Sequence, residues 1–492
     1  MSTDLKISNK IINCYKNKEF IKVLEFSDLI LKDYSEDIEL LNILLNSAIQ
    51  EKDFLRAVNV CEQIITIAPE QPNINLNLGN LYRLIGNYDK AIRHLEIESN
   101  YNSNNFPIFY NLALAYDAKN DLDNAEKNYK IALDIIPVEN KTIFEEVVEN
   151  YLKCIMNIGK NKDAFIIAKE LILKHPESET LLGLLGNFYG QFDENDKSIE
   201  CYEKALRINN ENKKIKYDLS FSLKKVGRIE DAIKILENLN YLGSRAFYIE
   251  NLFLTGRKEE FLDNLDKACM DFKGNRLLAN LSKYVSYLYK REDKYPFCSD
   301  PFNFIYRKKV LDVDFINNLN EEILSLNLGK MQQSLIRFGE QSSGNLFKFN
   351  SKNISLLKDI VEQEIISYKE NFKKENQYFL EYWPDKTMIY AWSINLKKGG
   401  ELGFHYHHKG WISGSVYLKL PYTSELKEGS IEFGYNNRNY KENINAETKV
   451  IKPEVGDIIL FPSSLSHRVN PFKGNKDDEN RISIAFDIMP VD

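Results

Sequence analysis

Four of the six histidines in this chain lie in its last fifth, at His405, His407, His408 and His467. Side chains two residues apart on a β-strand point to the same face, so His405 and His407 can face inward together while His408 faces outward. Imidazole is a good ligand for divalent first-row metals, and a centre with two or three protein ligands keeps coordination positions open. An HxH pair by itself is equally compatible with histidines that pack in a β-sandwich without metal.

A distal histidine and an arginine follow in the next strand-like segments. His467 ends the run DIILFPSSLSH, and Arg481 begins the run RIS fourteen residues later. A buried arginine needs an anionic partner, because an unpaired charge inside a barrel is costly. The C5 carboxylate of 2-oxoglutarate would match the guanidinium bidentately. The alternative partner is an internal carboxylate, Asp457 or Asp487.

The chain beyond residue 386 has the pattern of a β-rich domain. Short runs of β-branched and aromatic residues alternate with turn signals such as Lys398-Gly399-Gly400, and no helical pattern separates them. This spacing predicts a sandwich or jelly roll rather than a parallel α/β sheet. The predicted strands are TMIYAWSINL, GFHYHH, ISGSVYLKL, GSIEFGY, DIILFP and RISIAFDIM.

The segment before these strands is mixed in pattern. It predicts helices near Asp314–Leu326 and Ile354–Lys373 and, between them, a loop that enters a strand over Gly339–Phe349. We interpret it as helical support for the β-rich domain.

The chain before Lys290 contains a sequence repeat. Small residues recur at a step of about 34 residues, interrupted by one short insertion, and this step is the length of a tetratricopeptide repeat. Two antiparallel helices approach closely only where both present small side chains, which explains the spacing. The resemblance to tetratricopeptide repeats covers roughly residues 5–270. The small positions are Val23, Ala57, Ala91, Ala125, Ala164, Ser198 and Ala232.

A solenoid of such repeats has a concave face that usually binds a peptide or protein, and we expect a partner there. Several asparagines lie on the first helices of the repeats, where their amides could bind a peptide backbone. The alternative is that asparagine is abundant in this sequence and marks a solvated face. The asparagines are Asn46, Asn77, Asn80, Asn111 and Asn187.

Composition narrows the classes of function. The net charge is -7 and the isoelectric point is near 5.7, so the chain lacks the basic footprint of a nucleic-acid-binding protein. It has no apolar stretch of about 20 residues and no signal-peptide pattern at its start, so we expect neither membrane association nor secretion, and a cytoplasmic location. The six scattered cysteines have neither zinc-site nor disulfide-framework spacing, and we expect reduced thiols. The sequence does not predict the oligomeric state.

Three motifs in order resemble the 2OG-Fe(II) oxygenase family that is often fused to tetratricopeptide repeats. They are HYHHKGWISGSVYL, PEVGDIILFPSSLSHRVNPF and RISIAFDI, and GEQSSGNLF is similar to an upstream element of the family. The resemblance covers roughly residues 300–492. It implies Fe(II) and 2-oxoglutarate as cofactor and co-substrate, and a hydroxylase activity. It also implies that Arg481, Ser483, Tyr417 and Asn395 contact the co-substrate.

The metal-binding motif departs from that of better-known members. They use HxD or HxE with a distal histidine, whereas this chain has His407 in place of the carboxylate. Either His405, His407 and His467 all bind the metal, or His405 and His467 bind it and His407 supports them. His408 is not expected to be a ligand. Two other functions stay open: an inactive β-domain on an interaction scaffold, and a three-histidine dioxygenase that does not use 2-oxoglutarate.

The chain is therefore expected to be a multidomain α + β protein. Residues 1–275 would form an all-α tetratricopeptide solenoid and residues 276–300 a capping helix and linker. Residues 301–492 would form a double-stranded β-helix, or jelly roll, with flanking helices. The expected function is an oxygenase acting on a substrate that the repeats recruit.

Overall fold

The computed structural model describes residues 3–137, 140–326, 328–331, 335–349, 351–423, 425–474 and 480–491. The chain folds into two compact units, residues 1–154 and 155–492, and the boundary falls inside one helix. The division at residues 275 and 301 that the sequence suggested stays a prediction.

The helical region has the paired helices of a tetratricopeptide-like solenoid, as predicted. All seven small positions of the repeat are fully buried. Glycine is required where helices approach most closely: a Cβ on Gly79 would lie 2.5 Å from Cγ of Leu95, and one on Gly186 would lie 2.6 Å from the ring of Tyr202. The helices before the β-domain are α1 (Thr3–Lys16), α2 (Phe20–Leu24), α3 (Ser27–Asp33), α4 (Ile38–Gln50), α5 (Phe54–Ile67), α6 (Ile74–Leu84), α7 (Tyr88–Tyr101), α8 (Phe106–Ala118), α9 (Leu122–Ile135), α10 (Lys141–Asn157), α11 (Asn161–Lys174), α12 (Glu179–Gln191), α13 (Asn195–Ile208), α14 (Lys213–Lys225), α15 (Ile229–Leu236), α16 (Ser244–Leu254), α17 (Lys258–Asp271) and α18 (Arg276–Leu288).

The C-terminal region is an antiparallel, half-barrel sheet of the predicted jelly-roll type. Its strand order is β1-β8-β5-β10-β4-β9-β6-β7, and β3 pairs with both β2 and β4. The strands are β1 (Tyr306–Lys309), β2 (Lys330–Met331), β3 (Ile336–Ser342), β4 (Thr387–His405), β5 (Ile412–Lys419), β6 (Ile431–Gly434), β7 (Lys449–Ile451), β8 (Asp457–Pro462), β9 (Ser466–Val469) and β10 (Arg481–Pro490).

The strand β4 joins the two halves of the sheet. The sequence predicted two strands here, separated at Lys398-Gly399-Gly400, but the structure has one continuous strand. Its first part pairs with β10 and its end pairs with β9. Gly399 has φ of 78°, a value that favours glycine, within this continuous strand. Beyond it, the end of β4 reaches the strand that carries the distal histidine.

Helices pack against the sheet and share its apolar core. The predicted supporting helices are present as α19 (Val313–Ser325) and α20 (Lys352–Phe372), and a short helix α21 (Tyr378–Glu381) precedes β4. The predicted loop over residues 339–349 is instead the end of β3 followed by a 3-10 turn, Leu346–Lys348.

One hydrophobic cluster runs from Ile233 to Ile488, so α15 to α18 share a core with the strands. All six cysteines are buried free thiols. No helix in the described part of the chain is long and apolar enough to span a bilayer.

Candidate active site

Three histidines converge where β4 meets β9. His405, the last residue of β4, lies directly opposite His467 on β9, and His407 follows two residues later. The ring centroids of His405 and His467 are 4.3 Å apart, and that of His407 is 5.1 Å from each. One nitrogen from each ring lies within 4.8 Å of the others. Three histidine nitrogens this close together could hold one metal ion, whose bonds to nitrogen are about 2.1 Å long.

Hydrogen bonds orient all three rings in the same way. Nδ1 of His405 lies 2.8 Å from the carbonyl oxygen of Gly403, and Nδ1 of His467 lies 3.3 Å from that of Leu465. A carbonyl oxygen can only accept, so in both rings Nδ1 donates its proton and Nε2 keeps a lone pair. Nδ1 of His407 is likewise held by a carboxylate. All three imidazoles can therefore offer Nε2 to a metal.

Burial favours the neutral form of His405 and His467. It lowers the pKa of His405 to about 3, with a further contribution from His407. It also holds the pKa of His467 well below its usual value, again with help from the other two rings. A neutral imidazole is the form that binds metal. His408 lies outside the group of three, and its side chain is exposed, as expected.

Arg481 is a buried cation on β10. Its side chain is 2% exposed, Nε donates to the carbonyl of Gly429 at 3.0 Å, and a terminal nitrogen donates to Oγ of Ser483 at 3.2 Å. The guanidinium also lies 5.1 Å from the ring centroid of Tyr417. Burial lowers the pKa of Arg481, whereas Tyr417 raises it. Among the described residues, no carboxylate is bonded to this guanidinium.

The internal partners that the sequence left open for Arg481 are engaged elsewhere. Asp457 accepts from Arg307 at 2.8 Å, and Asp487 accepts from His407 at 2.6 Å. The hydroxyl of Tyr417 is buried and, within the described residues, has no hydrogen-bond partner. The guanidinium and the phenol are neighbours, and neither has a carboxylate partner among the described residues, which fits the carboxylate of a small ligand.

The strand register tests which other predicted residues join Arg481. Ser483 lies opposite Tyr417 on β5 and opposite Ile394 on β4, so these residues share one face. Asn395 lies opposite Ile482 and therefore faces the other side of the sheet. The register therefore does not support a contact between Asn395 and the co-substrate, because neighbouring residues on a strand point to opposite faces of the sheet.

An apolar wall lies between the triad and Arg481. Going along β10, Asp487 touches His407, Ala485 is opposite Trp392, and Arg481 follows on the same face. Trp392 also packs on His407, with ring centroids 5.7 Å apart. An apolar lining of this kind disfavours bound water beside the triad. The wall is the cluster of Ile394, Leu396, Leu402, Val469, Phe472 and Ala485.

Helices of the repeat region hold the strands of the site. Nδ2 of Asn280 on α18 donates to the carbonyl of Ser464 at 2.9 Å and to Oγ of Ser466 at 2.8 Å, next to His467. Glu250 on α16 accepts from the hydroxyl of Tyr440 at 3.3 Å. No sequence signal pointed to these contacts, because they join residues that lie far apart along the chain.

The asparagines proposed for the concave face have mixed surroundings. Oδ1 of Asn111 accepts from Arg83 at 3.1 Å, and Nδ2 donates to the carbonyl of Pro107 at 2.9 Å. Oδ1 of Asn80 accepts from the same arginine at 2.8 Å. A peptide would have to compete for these groups, and the asparagine ladder stays a prediction.

Comparison with known families agrees with both parts of the chain. Residues 390–487 match the family described as "Putative 2OG-Fe(II) oxygenase". Residues 48–97, 106–139 and 180–212 match families described as tetratricopeptide repeat. The chain thus carries tetratricopeptide repeats followed by a domain of this oxygenase family.

Two curated proteins of Saccharomyces cerevisiae are similar to parts of the chain. The anaphase-promoting complex subunit CDC16 is 24% identical over 255 residues, 49% of this chain and 29% of that protein. The peroxisomal targeting signal receptor is 30% identical over 129 residues, 26% of this chain and 19% of that protein. The chain thus matches less than a third of the length of either relative.

Solved structures show weaker likeness. The APC/C hetero-tetramer Cut9-Hcn1 is 15% identical with a TM-score of 0.36, covering 54% of this chain and 52% of that one. A Pseudomonas putida prolyl-4-hydroxylase is 11% identical with a TM-score of 0.28, covering 38% of this chain and 93% of that one. At these scores neither likeness bears on the function of this chain.

Proposed function

We propose that the chain is an Fe(II)- and 2-oxoglutarate-dependent oxygenase that hydroxylates a substrate recruited by its repeats. The main support for this proposal is that two features occur together. Three imidazoles converge with Nε2 free. Arg481, which is buried and has no carboxylate partner among the described residues, lies on the same sheet face as Asp487, which binds His407. Neither feature alone would distinguish an oxygenase from a packed sandwich.

His405, His407 and His467 would be the metal ligands. Their Nδ1 protons are already bound by acceptors, so little reorientation is needed for Nε2 to reach a metal. When bound, iron with 2-oxoglutarate supplies the oxidising chemistry: one oxygen atom of O2 enters the substrate C–H bond as a hydroxyl, and the other leaves in succinate as CO2 is released.

Arg481 would fix the far carboxylate of 2-oxoglutarate. Its guanidinium is held by Gly429 and Ser483, and the unpartnered hydroxyl of Tyr417 offers one more donor. A carboxylate bound here neutralises a cation that is otherwise buried and unpaired. The ion pair would therefore contribute more binding free energy than an exposed one. The apolar wall, with Trp392, would keep water from the rest of the co-substrate.

The repeats would recruit a protein or peptide. Asn280 on α18 contacts Ser466 on β9, the strand that carries His467, and Glu250 on α16 contacts Tyr440 in the loop after β6. The two curated relatives are, by name, a subunit of a complex and a receptor for a targeting signal, and these names support a role of the repeats in binding a partner. These observations favour a protein side chain as the substrate.

The test is O2-dependent conversion of 2-oxoglutarate to succinate by the full chain loaded with Fe(II) under anaerobic conditions. Uncoupled turnover above that of an iron-free sample is expected even without substrate. His408→Ala is the matched control, because it alters a neighbouring histidine outside the triad. If the iron-loaded wild type left 2-oxoglutarate unchanged, the inactive scaffold would be favoured. If the protein consumed O2 in the absence of 2-oxoglutarate, the three-histidine dioxygenase would be favoured.

A further inference from the structure

We propose that Asp487 is a positioning residue that supplies, through His407, the negative charge that a carboxylate ligand gives to other centres. This inference rests on the proposed function, because it concerns the same metal triad. It also explains how three neutral ligands can hold a divalent cation in a buried site.

The geometry singles out this one ring. Oδ1 of Asp487 lies 2.6 Å from Nδ1 of His407, whereas the Nδ1 atoms of His405 and His467 meet neutral backbone carbonyls. Only His407, which occupies the position of the usual carboxylate ligand, is backed by a formal charge. The charge is therefore kept, one imidazole further from the metal.

The carboxylate is fixed from its other sides as well. Oγ of Ser413 donates to the same Oδ1 at 2.6 Å, and Oγ of Ser463 lies 2.8 Å from Oγ of Ser413. The register sets Asp487 opposite Ser413, so the contact follows from strand pairing. A Cβ on Gly410 would lie 3.0 Å from Oδ1 of Asp487 and 2.5 Å from Oγ of Ser463, so a larger residue here would displace one of these side chains.

Among the described residues, no lysine or arginine pairs with Asp487, which is 8% exposed and bonded to His407. A carboxylate that binds Nδ1–H makes Nε2 a stronger donor and offsets part of the metal charge, and loss of such a partner typically weakens metal binding by about 10- to 100-fold.

The experiment measures Co(II) and Fe(II) dissociation constants under anaerobic conditions, with the visible Co(II) spectrum as a second readout. Asp487→Asn keeps the shape but removes the charge, and we expect about 10- to 100-fold weaker binding with a shifted Co(II) spectrum. Ser413→Ala removes a hydrogen bond but leaves the carboxylate, and should stay within about threefold of wild type. Asp457→Asn, which removes a buried carboxylate paired with Arg307, is the structural control and should bind metal as wild type does.

A second background makes the test independent of general destabilisation. His407→Asp restores a carboxylate ligand, and there Asp487→Asn should be neutral or should tighten binding, because two adjacent carboxylates repel each other. The inference would be overturned if Asp487→Asn lowered metal affinity equally in both backgrounds. It would also be overturned if Asp487→Asn and Ser413→Ala lowered metal affinity equally. If the wild type bound neither metal, the proposed function itself would fail; if it bound both and Asp487→Asn bound them equally well, only this inference would.

Discussion

His405 and His467 lie directly opposite each other on β4 and β9, with ring centroids 4.3 Å apart. Two strands that lie far apart in the sequence each contribute one imidazole to the same point. The pair is built into the sheet register, so a metal at this point would tie the two halves of the half-barrel together.

The first prediction concerns the distal histidine. His467→Ala should abolish stoichiometric iron binding, because two imidazoles remain and β9 no longer reaches the metal. Iron content after anaerobic loading and desalting is the measurement, and His408→Ala should keep about one iron per chain. Equal iron in wild type and His467→Ala would rule out this triad.

A second prediction follows from the shared core. Leu278, Leu281 and Tyr284 on α18 are buried in the same cluster as the strands, and the hydroxyl of Tyr284 donates to the carbonyl of Glu442 at 2.6 Å. A fragment of residues 155–492 should melt cooperatively and bind iron, whereas residues 301–492 alone should aggregate or melt without a sharp transition. Thermal melts followed by circular dichroism show whether each of the two fragments unfolds cooperatively. A stable, iron-binding fragment 301–492 would instead support the domain division suggested by the sequence.

The third prediction addresses Asn280 as a link between the repeats and the site. Asn280→Ala would leave the carbonyl of Ser464 and the hydroxyl of Ser466 without their buried donor, which should cost about 1–3 kcal/mol in the free energy of unfolding. Because Ser466 precedes His467, iron affinity should fall too. The control is Asn212→Ala, which removes the N-cap of α14 and should cost about 1 kcal/mol without changing iron affinity. If both variants lost stability to the same extent and bound iron as the wild type does, Asn280 would not couple the repeats to the metal site.

Periodic features were predictable from the sequence. The small positions of the tetratricopeptide period are all buried, because helix packing repeats with the same period. The three residues His405, His407 and His467 do form one group, as expected from the motif order, although His407 lies beyond the end of β4 and strand alternation does not place it. Arg481 was expected to be buried, and it is.

Features that depend on long-range register were not predictable. The sequence offered Asp487 only as a partner for Arg481, although the alternation in RISIAFDI already places both on one face; the pairing with β5 decides that Asp487 meets His407 instead. The position of Asn395 opposite Ile482, on the other face from Arg481, also depends on this register. Strands such as β1, with sequence YRKK, lack any apolar alternation, since they pair at the edge of the sheet.

Arg481 provides the most direct test of the central claim that this fold binds Fe(II) and 2-oxoglutarate together. Arg481→Leu would remove a charge-assisted contact from a buried carboxylate and should weaken 2-oxoglutarate binding by roughly 2–5 kcal/mol, or about 30-fold to several thousand-fold. Iron should stay bound, because Arg481 is not a ligand. Arg307→Leu, which removes an arginine paired with Asp457, is the matched control and should leave 2-oxoglutarate affinity unchanged. The measurement is calorimetric titration of 2-oxoglutarate into anaerobic, iron-loaded protein: the account predicts a large loss for Arg481→Leu alone, and a dissociation constant equal to that of the wild type would contradict it.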